Sequence, residues 1–478
     1  MSASRTEYVT YYRELKAEDM EKIDNPLGTE RVGRLLLRFG IPSIISMMVN
    51  AVYNMTDQVV IGNAVGMLGI AATNIAFPLM TISAAITYLF GSGGASNYNL
   101  LLGEGKAEAA NKSACNSLSL LAITGTVVGI LILVFVHPLV FVFGATKEVT
   151  PMALTYTTII AIGLPFGAFS AGACYLIRAD GSPRYSMVCT LSGAIFNIIA
   201  DPIAAFVFNW GVAGVAWATT VGQILTAGIA IYYFMRKANI ISVKIHLLRP
   251  VMVIAKRIGS LGSASFINQI GETVLQITMS NTLRFYGAAS IYGSNIPLGS
   301  VGAISKLNAM HAAVSIGIAL GCQPINSFNF GAKQYSRVKE TLRMAMIAAG
   351  IVSVFVFLAY QLFPRALMSI FGESDPQYLE FSERYLRTFM FLVFLRGIQP
   401  VVATFFPSIG NARRGMWIAM SRQILFIVPL LIVLPYFLGL EGVLYAGPVA
   451  DSCAVCVSAI FVYSEMKKIS ALQRAQIL

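Results

Sequence analysis

Along this chain, apolar runs of about 20 residues alternate with short segments that hold most of the polar and charged positions. Between proline, glycine and charged breakers, the runs fall at 35–60, 67–90, 112–136, 151–176, 185–208, 212–235, 256–282, 296–321, 340–363, 380–404, 415–436 and 440–464. At about 1.5 Å per residue, each reaches across the roughly 30 Å hydrocarbon core of a bilayer as a helix. A spanning helix satisfies its own backbone groups, which hydrocarbon cannot. The pattern therefore predicts an all-α integral membrane protein of about twelve transmembrane helices.

The pattern runs twice. Gly103, Phe143-Gly144, Gly211 and Gly214 recur as Gly331, Phe371-Gly372, Gly439 and Gly442, each shifted by about 228 residues. Asp180-Gly181 recurs as Ile409-Gly410 at nearly the same offset. Each copy holds six spans, an even number, so both copies enter the membrane from the same side and the repeats are parallel. The expected organisation is an N-terminal segment over 1–34, a six-helix bundle over 35–236, a link over 237–255, a second bundle over 256–464 and a tail over 465–478. Two such bundles are expected to flank a central cleft, the arrangement of a transporter with its substrate site between repeats.

Composition removes a soluble domain from consideration: 56% of residues are hydrophobic, 12% are charged, and mean hydropathy is +0.71. The net charge of +12 records topology rather than a nucleic-acid partner. About 26 Lys and Arg residues lie in the termini, the even-numbered loops and the span turns that adjoin them, against Lys147, Arg284 and Arg365 in the odd-numbered loops. The positive-inside rule then places both termini and the basic link, Arg236 to Arg257, in the cytoplasm. Residues 1–34 carry both signs of charge without an apolar run of signal-peptide length, and read as an amphipathic lead-in.

The small-residue strings Gly91 to Gly103 and Gly321 to Gly331 each follow a span and precede a charged helix. No strand precedes them and no Lys-Ser/Thr follows, so they read as flexible cytoplasmic corners rather than phosphate loops. Cys453 and Cys456 lie one turn apart inside the last span and read as apolar packing; the other cysteines suggest no disulfide frame. His137, His246 and His311 are too scattered for a metal site. Without a paired nucleophile and base, the chain is not read as an enzyme.

Charge inside a span is costly, and so marks candidate function. Asp57 follows Asn50 and Asn54 at helical spacing on one face. Asn197 and Asp201 are one turn apart, just before Pro202, which frees a backbone carbonyl of the preceding turn. Thr219 on the next span can add a hydroxyl. Two carboxylates near an amide and a hydroxyl make an oxygen-rich pocket for a hard cation, or a pair that shares a proton. Glu272 has Gln269 and Gln276 on its face, and two readings stay open: a functional intramembrane acid, or a buried pair with Lys306. Asp451 aligns with Gln223 across the repeat and reads as a structural hydrogen-bonding group.

Several strings in order carry a specific resemblance. They are Asn25-Pro-Leu, Gly40-Ile-Pro, Tyr53-Asn-Met-Thr-Asp57, Leu176-Ile-Arg-Ala-Asp-Gly-Ser-Pro183, Asn197-Ile-Ile-Ala-Asp201-Pro202, Gly211-Val-Ala-Gly-Val-Ala-Trp-Ala-Thr219 and Gln323-Pro-Ile-Asn-Ser-Phe-Asn-Phe-Gly-Ala332. Over nearly the whole chain past residue 25, the sequence resembles the MATE (multidrug and toxic compound extrusion) family, in particular its bacterial branch of DinF-like and staphylococcal-type drug pumps.

The resemblance implies a cation-coupled antiporter, using H⁺ or Na⁺, that exports lipophilic and mostly cationic drugs by alternating access. It implies a monomer in the bacterial cytoplasmic membrane, with no cofactor beyond the coupling ion. It assigns the coupling cation to residues matching Asp57, Asn197, Asp201 and Thr219. A substrate or second coupling site is expected from Glu272, Gln276, Asn50, Asn54, Tyr53 and Met279, with Phe77, Met80, Phe166 and Tyr292 as further cleft lining. The acid that some members carry on the tenth span is replaced here by Arg396-Gly-Ile-Gln-Pro400. The alternative function is a flippase for a lipid-linked oligosaccharide or other amphiphile, whose cleft should be rich in arginine. The first-half cleft helices are instead acidic and amide-bearing.

Overall fold

A computed structural model describes residues 25–371 and 375–477. Most of the expected lead-in (1–24), the landmark Gly372 and Leu478 lie outside the described residues. Among the described residues there is no strand, and the membrane-length helices number twelve: α1 (Val32–Val65), α2 (Met67–Gly103), α3 (Ala107–Val134), α4 (Thr150–Ala179), α5 (Pro183–Val207), α6 (Gly211–Arg236), α7 (Met252–Ala288), α8 (Asn295–Gly331), α9 (Tyr335–Leu362), α10 (Pro376–Thr388 continued, after a 56° bend, as Val393–Ser408), α11 (Ala412–Leu438) and α12 (Leu440–Ile477). Each expected span coincides with one of them, overrunning its end by at most two residues. The repeat landmarks include turns: Gly181 and Gly410 open α5 and α11, Gly211 and Gly439 open α6 and α12, and all four hold a positive φ that a side chain would strain. The expected tail is helix, because α12 continues to Ile477 and Glu465 is tied to Arg414 at 2.6 Å.

The expected flexible corners are not loops. Gly91–Gly103 and Gly321–Gly331 are the inner ends of α2 and α8, helical and almost wholly buried. Their small residues let backbones touch. A Cβ on Gly93 would strike the Ile258 and Gly262 backbone of α7, and one on Gly321 would strike Gly40 of α1. The repeat pair is reciprocal: Gly103 lies on the Phe328 carbonyl, and Gly331 on the Leu100 carbonyl. Gln323 fastens the same junction, donating to the Ser92 carbonyl at 2.9 Å, Ser92 Oγ at 3.0 Å and Ser96 Oγ at 2.8 Å. In a soluble chain this composition signals a loop; in a membrane it signals the closest helix contact.

These contacts place the junction between halves at the basic end of the molecule. One apolar cluster joins both halves there, from Leu35, Tyr98 and Leu176 to Ile258, Ile325 and Phe328. Towards the opposite end each bundle has a core of its own: Val60, Tyr156 and Val215 in the first, Leu283, Phe381 and Leu431 in the second. The bundles are therefore joined at the basic end and separate beyond it.

The link is pinned under the first bundle. Asp180, at the end of α4, accepts from Tyr233 Oη and the Asn239 amide at 2.7 Å, the Ile240 and Ile241 amides at 3.0 Å, and Tyr98 Oη at 3.3 Å. Asn111 and Asn116 of α3 take the amides of Ser242 and Val251 at 2.9 and 2.7 Å.

Candidate functional site

Three helices of the first bundle bring the expected coupling residues together. Asp57 comes from α1, Asn197 and Asp201 from α5, and Thr219 from α6, all buried. Asn197 Nδ2 donates to Asp201 Oδ1 and to Thr219 Oγ1, both at 3.1 Å. The Asp57 and Asp201 carboxyl groups lie within hydrogen-bonding reach of each other, and Tyr53 and Tyr156 stand within electrostatic reach of both. After Pro202 the helix widens into a π-helical stretch, Ile203–Val207, the local adjustment that a missing N–H invites.

The site is rich in acceptors. Asp57 Oδ1, Asp201 Oδ2 and Asn197 Oδ1 are buried without a hydrogen-bond partner, as is Thr157 Oγ1. Among the described residues, neither carboxylate has a Lys, Arg or His within ion-pair distance. Buried oxygens of this kind are rare in folded proteins, and they call for a proton or a cation.

The remaining expected residues scatter. Asn54 Nδ2 donates to the Asn50 carbonyl at 2.7 Å and Asn50 Oδ1 at 2.9 Å, so these two hold each other rather than Asp57. Gln276, Phe77 and Phe166 are exposed, Tyr53 and Glu272 are half-buried, and Met80 packs against the first bundle's core. Met279 and Tyr292, expected to line the cleft, instead pack inside the second bundle with Leu275 and Phe381. Glu272 accepts from Gln423 Nε2 at 2.7 Å, and among the described residues it makes no pair with Lys306, which is exposed. Asp451 is a structural partner of a different kind from the one expected: a fully buried ion pair with Arg422 at 2.6 Å.

Sequence reasoning passed over Arg422 and Arg396. Both fall inside expected spans, so the rule that singled out Asp57 applied to them equally. Arg422 and Gln423 sit on a π-helical stretch of α11, Ser421–Ile427, and Arg396 sits just past the break in α10. Arg396 lies within electrostatic reach of Arg422, Asp451, Glu272 and Tyr385. The second bundle thus sets Arg422 against Asp451 with Arg396 nearby, whereas Asp57 and Asp201 of the first have no basic side chain within ion-pair distance among the described residues.

Two parallel six-helix repeats, joined at one end around a polar interior, are the architecture of a membrane transporter rather than an enzyme. Comparison with known proteins gives the family. The MatE family profile matches residues 42–203 and 268–433, one match in each repeat. The multidrug export protein MepA of Staphylococcus aureus (strain MSSA476) is 24% identical over 437 residues, 90% of this chain and 94% of its own. The MATE multidrug transporter DinF-BH, whose structure was solved as a complex, is 31% identical with a TM-score of 0.85, over 93% of this chain and 98% of that one. A MATE crystallised with MaL6 shares the fold at a TM-score of 0.86 and 21% identity, over 94% and 99%. The chain belongs to the MATE family.

Proposed function

We propose that this protein is a multidrug efflux antiporter in which H⁺ or Na⁺ binding between Asp57 and Asp201 is exchanged for an outgoing organic cation. The observation that carries the reading is the set of orphaned oxygens, Asp57 Oδ1, Asp201 Oδ2 and Asn197 Oδ1, buried with no basic partner among the described residues. An ion or proton there removes the cost of burying facing carboxylates, and favours whichever access state binds it better. One positive charge moving inward gains about 2.3 kcal/mol per 100 mV, enough to bias a cycle. Asn197 holds the Asp201 oxygen and the Thr219 hydroxyl in register, so its amide orients the cage. The named activities of MepA and of DinF-BH support drugs as cargo. The basic end, with both termini and the link, is assigned to the cytoplasm of a bacterial cell, and the protein acts as a monomer.

In that orientation the bundles are joined on the cytoplasmic side and parted on the outer side, the release-competent half of the cycle. The test is ethidium export from proteoliposomes of controlled orientation under an imposed pH or Na⁺ gradient, for wild type and Asp57→Asn. Export driven by one gradient and lost in the variant is the expected result. Full export by Asp57→Asn sinks the coupling assignment; no export by wild type under either gradient sinks the efflux reading and favours the flippase.

A further inference from the structure

A hollow of about 570 Å³ opens at the basic end, on the seam between the two halves. Arg31, Arg34 and Leu37 line it from the first half, Arg337 and Glu340 from the start of α9. The helices meet closely there, since a Cβ on Gly33 would lie 3.2 Å from Met344 Cε of α9. Three guanidinium groups thus surround the hollow against one carboxylate. Arg31 and Arg34 are exposed. Among the described residues Arg31 makes no ion pair, and Arg34 has only Glu30 at 3.8 Å, an exposed contact worth little.

Arg337 differs in being fixed. Its Nε donates to Asn329 Oδ1 at 2.8 Å, and its Nη2 to the carbonyls of Leu27 and Glu30 at 3.1 and 2.5 Å. That clamp ties the chain entering α1 to the end of α8, and it leaves Nη1 without a partner among the described residues. A guanidinium already held by its other donors gives up little freedom when the remaining one finds an acceptor.

Below the hollow both helices turn apolar on one side. On α1, Leu37, Ile41 and Ile45 lie within about 60° of the Arg34 azimuth, at about 100° per residue, and all three are exposed. On α9, Met344, Ile347 and Ile351 lie within about 40° of Glu340 and are exposed too. A different face of α1 packs on α8, through Gly40 against Gly321 and Ile44 against Gly317. The bundles are joined at this end, so the exposed stripes face lipid and not the cleft. From Arg34 to Ile45 the helix rises about 16 Å, close to half the hydrocarbon thickness and so to the depth of one leaflet.

We propose that this seam binds an anionic phospholipid, with its phosphate among Arg31, Arg34 and Arg337 and an acyl chain along the two stripes. A free anion would use the guanidinium groups alone; the apolar run beneath them selects a lipid. A zwitterionic headgroup brings its own cation to the same arginines, so phosphatidylglycerol is preferred to phosphatidylcholine. The site lies outside the cleft and is independent of the cargo and the coupling ion.

The test is native mass spectrometry of the purified protein in detergent, with added dioleoyl phosphatidylglycerol, dioleoyl phosphatidylcholine or inorganic phosphate. It compares wild type, Arg31→Gln with Arg34→Gln, and Arg236→Gln with Lys237→Gln. The last pair removes the same charge from exposed positions of the basic end that do not line the hollow. Wild type should retain one phosphatidylglycerol in preference to phosphatidylcholine. Loss of Arg31 and Arg34 should weaken phosphatidylglycerol binding about tenfold or more and leave phosphatidylcholine unchanged. The Arg236 and Lys237 variant should match wild type, and phosphate at equal concentration should not displace the lipid. Equal affinity for the two lipids, equal losses in the two variants, or displacement by phosphate overturns the proposal.

Discussion

Replacing Gln323 by Leu removes one amide from the joined end while keeping its volume. That amide meets Ser92 O, Ser92 Oγ and Ser96 Oγ at 2.8–3.0 Å, but its two hydrogens satisfy two acceptors at a time. Two neutral hydrogen bonds at about 0.5–1.5 kcal/mol each give about 1–3 kcal/mol. The serine hydroxyls can turn back to their own helix, which holds the net loss near about 1–2 kcal/mol. In the proposed antiport cycle this junction opens, so the loss falls on the closed state alone. The ratio of closed to open molecules should drop about 5- to 30-fold. The assay is the distance between spin or fluorophore labels on the basic ends of α2 and α8, at Glu104 and Lys333, in wild type and Gln323→Leu. The variant should populate a longer distance. An unchanged distribution would refute the reasoning that this contact closes the transporter.

Other outcomes follow from single contacts. Arg422→Met should cost about 3–5 kcal/mol of stability, because it leaves Asp451 buried without its partner at 2.6 Å. The double change Arg422→Met with Asp451→Leu should recover most of that, as read by thermal unfolding in detergent. Asp180→Asn sets an amide nitrogen against donors that now meet oxygen, two of them at 2.7 Å, and should cost about 2–4 kcal/mol. Faster proteolysis of the link near 237–251 should accompany it. Gly331→Val should abolish folding or trap a state joined nowhere, since its Cβ would meet the Leu100 carbonyl, and the loss of cross-linking between α2 and α8 would report it.

The legible part of this molecule was what hydrophobic period and charge can encode. Twelve apolar runs each became a helix, and the 228-residue echo became two bundles with matching glycine turns. Asp57 and Asp201 also stood out, because a carboxylate inside a span is costly, and the structure buries both in one cluster with Asn197 and Thr219. Which side chains a kinked helix brings together was not legible. Met279 turns into its own bundle, and Glu272 finds Gln423 rather than Lys306. Both outcomes depend on the rotation of α7 against the π-helical stretch of α11, which no spacing rule carries. The small-residue ends of α2 and α8 were misread because glycine, serine and asparagine favour turns in water, yet allow the tightest helix contact in a bilayer. Arg396 and Arg422 lay in plain view and needed only the rule already applied to the acids.

The central claim is that the first bundle's facing carboxyl groups hold the ion exchanged for cargo. The most direct measurement is the proton release, or displacement of radiolabelled Na⁺, that a saturating organic cation causes in purified protein, for wild type and for Asp57→Asn with Asp201→Asn. Wild type should give up one of the two ions on binding cargo, and the double variant should bind cargo while releasing neither. The same release from the double variant would contradict the account and move coupling to the second bundle.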